Sequence, residues 1–348
     1  MSEPIPLPQT PAEITASWLS QVLDTDIEAV ALVDAHAGTT GRAVIDLTHS
    51  SEALPQRLFV KLPPTDEMQR QFVISTGMGR NEVLFYQHLS AEVPVRVPRA
   101  YHCEASADGS QYIMLLEHLE VSGCTFRNAS TRYGRGYIEE VLGAFARLHG
   151  SYWESPRFDA DLDWLTPPAQ HEIAVTLIEQ VLSRHGASMP AVFTDMAELY
   201  LAETDAIHQV WQRGADTVIH GDVHDGNFFY DTDKPGLLDW AIVSRGPAMR
   251  DVGYFLAGIL TAEHQRDWAR DLVAFYQGEL SRHCAHPPSV EDLWLAYRHH
   301  AAYVWVGSAV TLAMGEEWQP VNYVKSGLQR VHTALEELGS VEALRDAL

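Results

Sequence analysis

Hydrophobic and polar positions follow two different periods along the chain. Val30 to Val33, Ala43 to Leu47 and Leu58 to Leu62 are β-rich runs, set apart by Gly38-Thr39-Thr40-Gly41 and by a polar stretch ending at Pro55. Such runs between turn-forming residues predict three consecutive antiparallel strands. One helical stretch is expected over 66–89. Two further strands follow, Arg99 to Glu104 and Tyr112 to Glu117, with Asp108-Gly109 at the turn between them. Ahead of this sheet, Thr10-Pro11-Ala12-Glu13 has the form of a capping box with proline at the first helical position. The apolar Ile14, Trp18 and Leu19 behind it suit a short amphipathic helix.

From Val121 to Thr131 the texture becomes polar and rich in Gly, Ser, Asn and Thr, as in a hinge or linker. Beyond it the helical period dominates. Ile138, Val141, Leu142, Phe145, Leu148 and Tyr152 fall on one stripe, and periodic segments recur near 170–185, 190–211, 248–260, 263–283, 290–314 and 320–337. A β-like island interrupts them between Thr217 and Trp240. The pattern predicts an α+β chain with a sheet-rich lobe carrying one helix over 1–118 and a larger, mostly helical lobe over 119–348.

Composition narrows the function classes. The 348 residues carry 24 Lys+Arg against 47 Asp+Glu, a formal charge of −23, and are 46% hydrophobic. That is a globular composition and excludes disorder, collagen and coiled coil. The acidic surface and the lack of a dense basic run argue against a nucleic-acid partner. The start, Met1-Ser2-Glu3-Pro4, lacks a basic, apolar leader, and Cys103, Cys124 and Cys284 make neither a disulfide nor a zinc spacing. The longest apolar stretch, Ala301 to Met314, is shorter than the ~20 residues that span a bilayer. A cytoplasmic protein without a membrane partner is expected.

The chemistry concentrates in the island. His220-Gly221-Asp222-Val223-His224-Asp225-Gly226-Asn227 lies between apolar strands, ahead of Leu237-Leu238-Asp239-Trp240. A hairpin pairing Phe228 to Asp231 with Gly236 to Asp239 would bring Asn227 and Asp239 nearly opposite. An amide and a carboxylate are hard oxygen donors suited to Mg²⁺, and Asp222, on a glycine-flanked loop, is the candidate base. Two other readings stay open at this point. Asp, Asn, Gly and His crowd into ordinary β-turns, and His220, Asp222, His224 and Asp239 could ligate Zn²⁺ or a metal pair in a hydrolase.

A second pair appears upstream. Lys61 is a single cation inside an apolar strand, and Glu82 shares a helical stripe with Phe85, Tyr86 and Leu89. A carboxylate on a buried stripe needs a partner, and Lys61 is the one the order of elements offers.

The string His220-Gly221-Asp222-x-His224-x-x-Asn227 followed by Leu238-Asp239-Trp240 resembles the aminoglycoside phosphotransferase and choline kinase superfamily. The resemblance implies a bilobal, protein-kinase-like fold using ATP and Mg²⁺. It implies that Asp222 orients and deprotonates an acceptor hydroxyl, that Asn227 and Asp239 hold magnesium on the nucleotide, and that His220 braces the loop. Lys61 and Glu82 match the family's strand lysine and helix glutamate, the lysine contacting nucleotide phosphates. Gly38, Thr39, Thr40 and Gly41 stand where the family's nucleotide-covering loop would be. They depart from G-x-G-x-x-G, which leaves backbone N–H groups and a Thr39 or Thr40 hydroxyl to hold phosphate. Glu117-His118-Leu119 corresponds to the segment whose backbone would pair with adenine.

Further stretches, Gly79 to Leu89, Phe145 to Trp153 and Arg250 to Leu256, look most like the ecdysteroid-kinase-like branch and its bacterial relatives. Within them His149 is read as a hydrogen-bonded core residue, and Asp251 as a helix cap or loop brace. The function implied is an ATP-dependent small-molecule kinase moving the γ-phosphate to a hydroxyl of a metabolite or xenobiotic. A metal-dependent hydrolase and a catalytically idle nucleotide-binding scaffold are the alternatives. For the acceptor, Tyr297, Tyr303, Trp305, Trp318 and Tyr323 are candidate lining, though helical spacing also suits a core, and the nearby Glu316-Glu317 would either attract an aminoglycoside-like cation or end a helix in solvent. The branch likeness points to a hydroxylated, moderately apolar small molecule.

Overall fold

The computed structural model describes residues 6–38, 40–126, 134–168, 172–315 and 321–348, the side chains of 37, 172 and 321–323 excepted. The chain divides into two compact units, Met1–Phe126 with Phe229–Ile242, and Arg127–Phe228 with Val243–Leu348. The first unit thus runs past the expected boundary at 118 and includes a later segment of the chain.

In the first unit, β1 (Ala29–Ala37), β2 (Gly41–Thr48), β3 (Arg57–Leu62), β4 (Ala100–Ala105) and β5 (Tyr112–Glu117) form one sheet in the order β1-β2-β3-β5-β4. Every neighbouring pair is antiparallel. Ala43, Ile45 and Leu47 of β2, Leu58, Val60 and Leu62 of β3, and Ile113 and Leu115 of β5 join Trp18 and Leu19 in one core cluster. The i, i+2 spacing puts them on one sheet face. That core covers the helix α1 (Ala16–Leu23), whose N-cap is Thr15, accepting from the Trp18 N–H at 3.1 Å. The expected capping box at Thr10 differs: Pro11–Glu13 forms a separate 3-10 turn, and Thr10 makes no side-chain cap.

The expected helix over 66–89 is two helices, α2 (Glu67–Thr76) and α3 (Met78–His88). Gly77, at φ +70°, separates them. A left-handed residue cannot continue a helix, and glycine adopts that conformation without a Cβ penalty.

In the second unit the helices are α4 (Arg135–Ser151), α5 (Glu172–His185), α6 (Ala191–Trp211), α7 (Met249–Ile259), α8 (Ala262–Leu280), α9 (Val290–Met314), α10 (Val321–Leu338) and α11 (Ser340–Ala347). The long α9 starts at a capping box of Ser289 and Asp292. Strands β6 (Asp216–Ile219) and β9 (Ser244–Pro247) pair antiparallel. Between them in sequence, β7 (Phe228–Asp231) and β8 (Lys234–Leu237), which from Phe229 on belong to the first unit, pair as a hairpin. It closes two residues earlier than the expected pairing with Gly236 to Asp239, so Asp239 lies beyond the strand end. Tyr297 and Trp305 are fully buried, and the Tyr297 hydroxyl donates to Gln265 Oε1 at 2.9 Å, which makes both core residues. Trp318, Glu316-Glu317 and the side chain of Tyr323 lie outside the described residues. Among the described residues no helix is long and apolar enough to cross a membrane.

Candidate active site

The first unit holds a charge cluster built on three elements. Lys61 of β3 is 4% exposed, and its Nζ donates to both carboxylate oxygens of Glu82 of α3, at 2.8 and 2.7 Å. The same Nζ donates to Asp239 Oδ1 at 2.8 Å, while Arg42 of β2 donates to Asp239 Oδ2 at 3.4 Å. Glu82 is 1% exposed and also accepts from the Trp240 backbone N–H. The Trp240 ring stacks on Phe85 at 4.0 Å, one helical turn along from Glu82, so α3 fixes the chain on the C-terminal side of Asp239 as well. Asp239 itself sits at φ +64°, a conformation that costs a non-glycine residue on the order of 1 kcal/mol and is characteristic of functional positions.

Burial pulls the Lys61 ammonium down, but Asp239 and Glu82 outweigh it and hold the lysine above its ordinary value. Burial pushes the Glu82 carboxyl up against the opposing pull of Lys61. One ammonium facing two carboxylates leaves Asp239 as the more exposed acceptor, its side chain 20% accessible.

In the loop between β1 and β2 the Gly38 N–H donates to the Thr40 carbonyl at 3.1 Å. Thr40 is buried, and its Oγ1 has no hydrogen-bond partner among the described residues, in the loop expected to cover a nucleotide. Thr39 lies outside the described residues. At the end of β5 the Glu117 carboxylate accepts from Arg96 Nη2 at 2.6 Å and from the Arg99 N–H at 2.9 Å. The Leu119 carbonyl accepts from the Cys124 N–H at 2.9 Å. Arg96 also donates to Asp231 Oδ2 at 2.8 Å and lies over the Phe229 ring, which fastens the hairpin segment to the end of the sheet.

The second unit holds the Asp222 loop, and here backbone hydrogen bonds do the positioning. Asp251 of α7, fully buried, accepts from the His220 N–H at 2.7 Å and the Gly221 N–H at 2.8 Å. His149 of α4 faces the same carboxylate at 3.2 Å and Tyr276 of α8 at 2.8 Å. Burial raises the Asp251 carboxyl, but His149, His220 and the Gly221 N–H prevail and hold it below the usual carboxylate range. Gly221 at φ +85° turns the chain so that both N–H groups reach one carboxylate. His220 accepts the Asp222 N–H on Nδ1 at 3.2 Å, and His224 caps the following 3-10 turn by accepting from the Gly226 N–H.

Asp222 is left facing side chains. Its Oδ1 accepts from the Tyr254 hydroxyl at 3.2 Å and its Oδ2 from Asn227 Nδ2 at 3.2 Å. Asn227 Nδ2 donates to the Asp222 carbonyl too, at 2.8 Å. With its nitrogen committed to two acceptors, the amide must present Oδ1 elsewhere, as a neutral oxygen ligand. The Asp239 carboxylate and the Thr40 hydroxyl in the first unit, and the Asn227 carbonyl oxygen in the second, are each hard oxygen donors of the kind magnesium and phosphate take. Against a zinc centre, each island histidine spends Nδ1 on a backbone N–H. No group of three His, Cys, Asp or Glu able to hold a metal occurs among the described residues.

Lys61 thus lies on Glu82, His149 in the core, and Asp251 against the backbone of the Asp222 loop. Arg42, Arg96 and Tyr254 carry no expectation from the sequence. Each acts through a partner more than 20 residues away, and a lone Arg or Tyr leaves no periodic signal.

A family model described as "Phosphotransferase enzyme family" matches residues 37–292. The chain belongs to the phosphotransferase enzyme family. Curated relatives include the methylthioribose kinases of Bacillus cereus (strain G9842) and Bacillus mycoides (strain KBAB4), 25% and 24% identical over 107 residues. The matched segment covers 30% of this chain and 24% of those relatives. Among solved structures, a Ralstonia eutropha JMP134 protein assigned to the aminoglycoside phosphotransferases superposes with TM-score 0.56 at 14% identity, covering 93% of this chain and 97% of that one. The GDP complex of aminoglycoside 2′-phosphotransferase-IIIa gives TM-score 0.55 at 14% identity, over 92% and 96%. These likenesses establish that the phosphotransferase has the kinase-like α+β fold its sequence motifs imply.

Proposed function

We propose that this phosphotransferase is an ATP-dependent small-molecule kinase that transfers the γ-phosphate to an alcohol hydroxyl. The observation that carries the reading is the buried Lys61, held by Glu82 and aimed at Asp239, a constellation with no use in a simple turn or a zinc hydrolase. In this reading the unit of residues 1–126 with 229–242 serves the nucleotide and the unit of 127–228 with 243–348 the acceptor, and a cytoplasmic setting suits the supply of ATP.

The roles follow from the atoms. Asp222 takes the acceptor's proton on its carboxylate, whose rotamer Tyr254 and Asn227 fix from either side. Asp251 holds the loop through the His220 and Gly221 N–H groups, so that Asp222 does not have to be ordered at the moment of reaction. Lys61 binds phosphate oxygens, with Thr40 Oγ1 and the N–H groups of the Gly38–Gly41 loop as further donors. The Leu119 N–H is the backbone donor for an adenine ring, since the Leu119 carbonyl is engaged by Cys124. Asn227 Oδ1 and the Asp239 carboxylate would hold Mg²⁺. When bound, the magnesium nucleotide supplies the phosphoryl group and the neutralising charge of a loose transition state.

The test is the magnesium dependence of ATP binding together with product analysis. The wild type should bind ATP more tightly with Mg²⁺, Asp239→Ala and Asn227→Ala should each lose most of that gain, and label from γ-labelled ATP should appear in an alcohol. Turnover of the same alcohols or their esters without ATP would reject the kinase reading in favour of a hydrolase. ATP binding with no transfer to any alcohol would leave an idle scaffold.

A further inference from the structure

Arg250 lies in the first turn of α7 and is 4% exposed. Its guanidinium carbon sits 3.7 Å from the centre of the Tyr303 ring. Its Nε is fully buried, and among the described residues it has no acceptor and no carboxylate pairs with the guanidinium. The titratable groups facing it are the phenols of Tyr303 and Tyr200 and the imidazole of His300. Burial, with Arg250 adding to it, holds His300 well below its ordinary value and therefore neutral. Asp251, its neighbour in sequence, is committed to His149 and to two backbone N–H groups. A guanidinium with five donors and no counter-charge is an expensive thing to bury.

Its place in the unit suggests what repays that cost. Tyr303 lies against Tyr254, ring centres 6.5 Å apart, and the Tyr254 hydroxyl donates to Asp222. Two tyrosine rings therefore lead from the unpaired cation to the carboxylate that receives the acceptor hydroxyl. Both tyrosines are only half-buried, which leaves this path open on one side.

We propose that Arg250 binds an anionic group of the acceptor, a carboxylate or a phosphate ester, whose hydroxyl is presented to Asp222 across Tyr254 and Tyr303. The inference rests on the kinase reading for the role of Asp222, and it replaces a merely apolar alcohol by a hydroxylated anion as the substrate class. A planar fork of donors matches both carboxylate and phosphate, and Tyr303 stacked on the guanidinium keeps that fork in one plane.

The test uses pairs of compounds that differ only in charge: hydroxycarboxylates against their methyl esters, and sugar phosphates against the parent sugars. Each is titrated by calorimetry into the wild type, Arg250→Lys and Arg250→Gln without nucleotide, and then assayed for ATP-dependent phosphorylation. At least one anion should bind about tenfold or more tightly than its neutral twin, a difference of ~1.4 kcal/mol. Arg250→Gln should erase that preference, Arg250→Lys should keep part of it, and Mg-ATP affinity should be the same in all three. Which arm responds identifies carboxylate or phosphate. Equal binding of neutral twins, no binding by any anion, a preference that survives Arg250→Gln, or weakened Mg-ATP binding in that variant would each overturn the proposal. An anion preference without phosphorylation of any compound would instead sink the kinase reading and leave the anion site standing. The apo protein offers a further readout, because Arg250→Met removes an uncompensated charge and should leave the melting temperature unchanged or raised. A clear drop would make Arg250 a structural residue.

Discussion

Lys61 and Arg250 are equally buried, each 4% exposed, yet their surroundings are opposite. Lys61 has two carboxylates within 2.8 Å, whereas Arg250 has an aromatic face and no anion among the described residues. The first unit contains its own counter-charge and is organised by Coulomb attraction at low dielectric. In the second, the Asp222 loop is organised by backbone hydrogen bonds to Asp251, and its buried arginine is unmatched. The contrast separates residues that hold the protein together from residues that wait for a ligand. Substitution should reveal the difference in sign as well as size.

The largest effect is expected at Lys61. Lys61→Met strands the Glu82 carboxylate and leaves Asp239 its longer contact with Arg42, and losing one partner of a buried ion pair costs about 3–5 kcal/mol. Urea denaturation should show that loss, and ATP binding should vanish with it. Adding Glu82→Leu should recover part of the stability and none of the ATP binding. If the single variant proved as stable as the wild type, Lys61 would not be the hub of the cluster.

Next comes Asp251. Asp251→Asn turns an oxygen facing a buried N–H into a nitrogen, at a cost of about 1–3 kcal/mol, with His220 and Gly221 released from their anchor. Because the folded carboxyl is held below its usual range, it contributes stability above pH ~4 that is lost as the pH falls through the folded value. The variant's stability should therefore depend less steeply on pH at the acid end. An unchanged acid limb in denaturant titrations would show that Asp251 is not a source of it.

The smallest effect at neutral pH belongs to His332, whose imidazole is pushed down to about 4 by burial. The unfolded chain takes up its proton near 6.5 while the folded one does not, so stability declines as pH drops from 6.5 to about 4. His332→Leu should flatten the melting temperature in that window. A profile identical to the wild type would mean that the ring is protonated in the fold.

Much of this architecture is readable in the sequence, for reasons that differ by residue. The five strands announce themselves through short β-rich runs between turn-forming residues, and Glu82 through the cost of a carboxylate on an apolar stripe. The spacing of Asp222, Asn227 and Asp239 resembles a known family. Gly77 gives no warning because the apolar period continues across it; only its positive φ breaks the helix. Ser244–Pro247 pairs with β6 although Gly246 and Pro247 stand among its four residues, and so short a run gives no strand signal. Arg96 and Tyr254 have meaning only through Asp231 and Asp222, and Arg250 only through the lack of any such partner. Isolated long-range pairings of this kind leave nothing in the local pattern.

The role of Asp222 as the residue that receives the acceptor's proton is open to one direct measurement. Transfer of label from γ-labelled ATP to an acceptor should be compared in the wild type and Asp222→Asn, with Mg-ATP affinity measured alongside. Transfer should be slowed by about 10²–10⁴-fold, the range for a lost general base, at nearly unchanged affinity. Full transfer by Asp222→Asn, or none by the wild type with any hydroxylated compound, would contradict it.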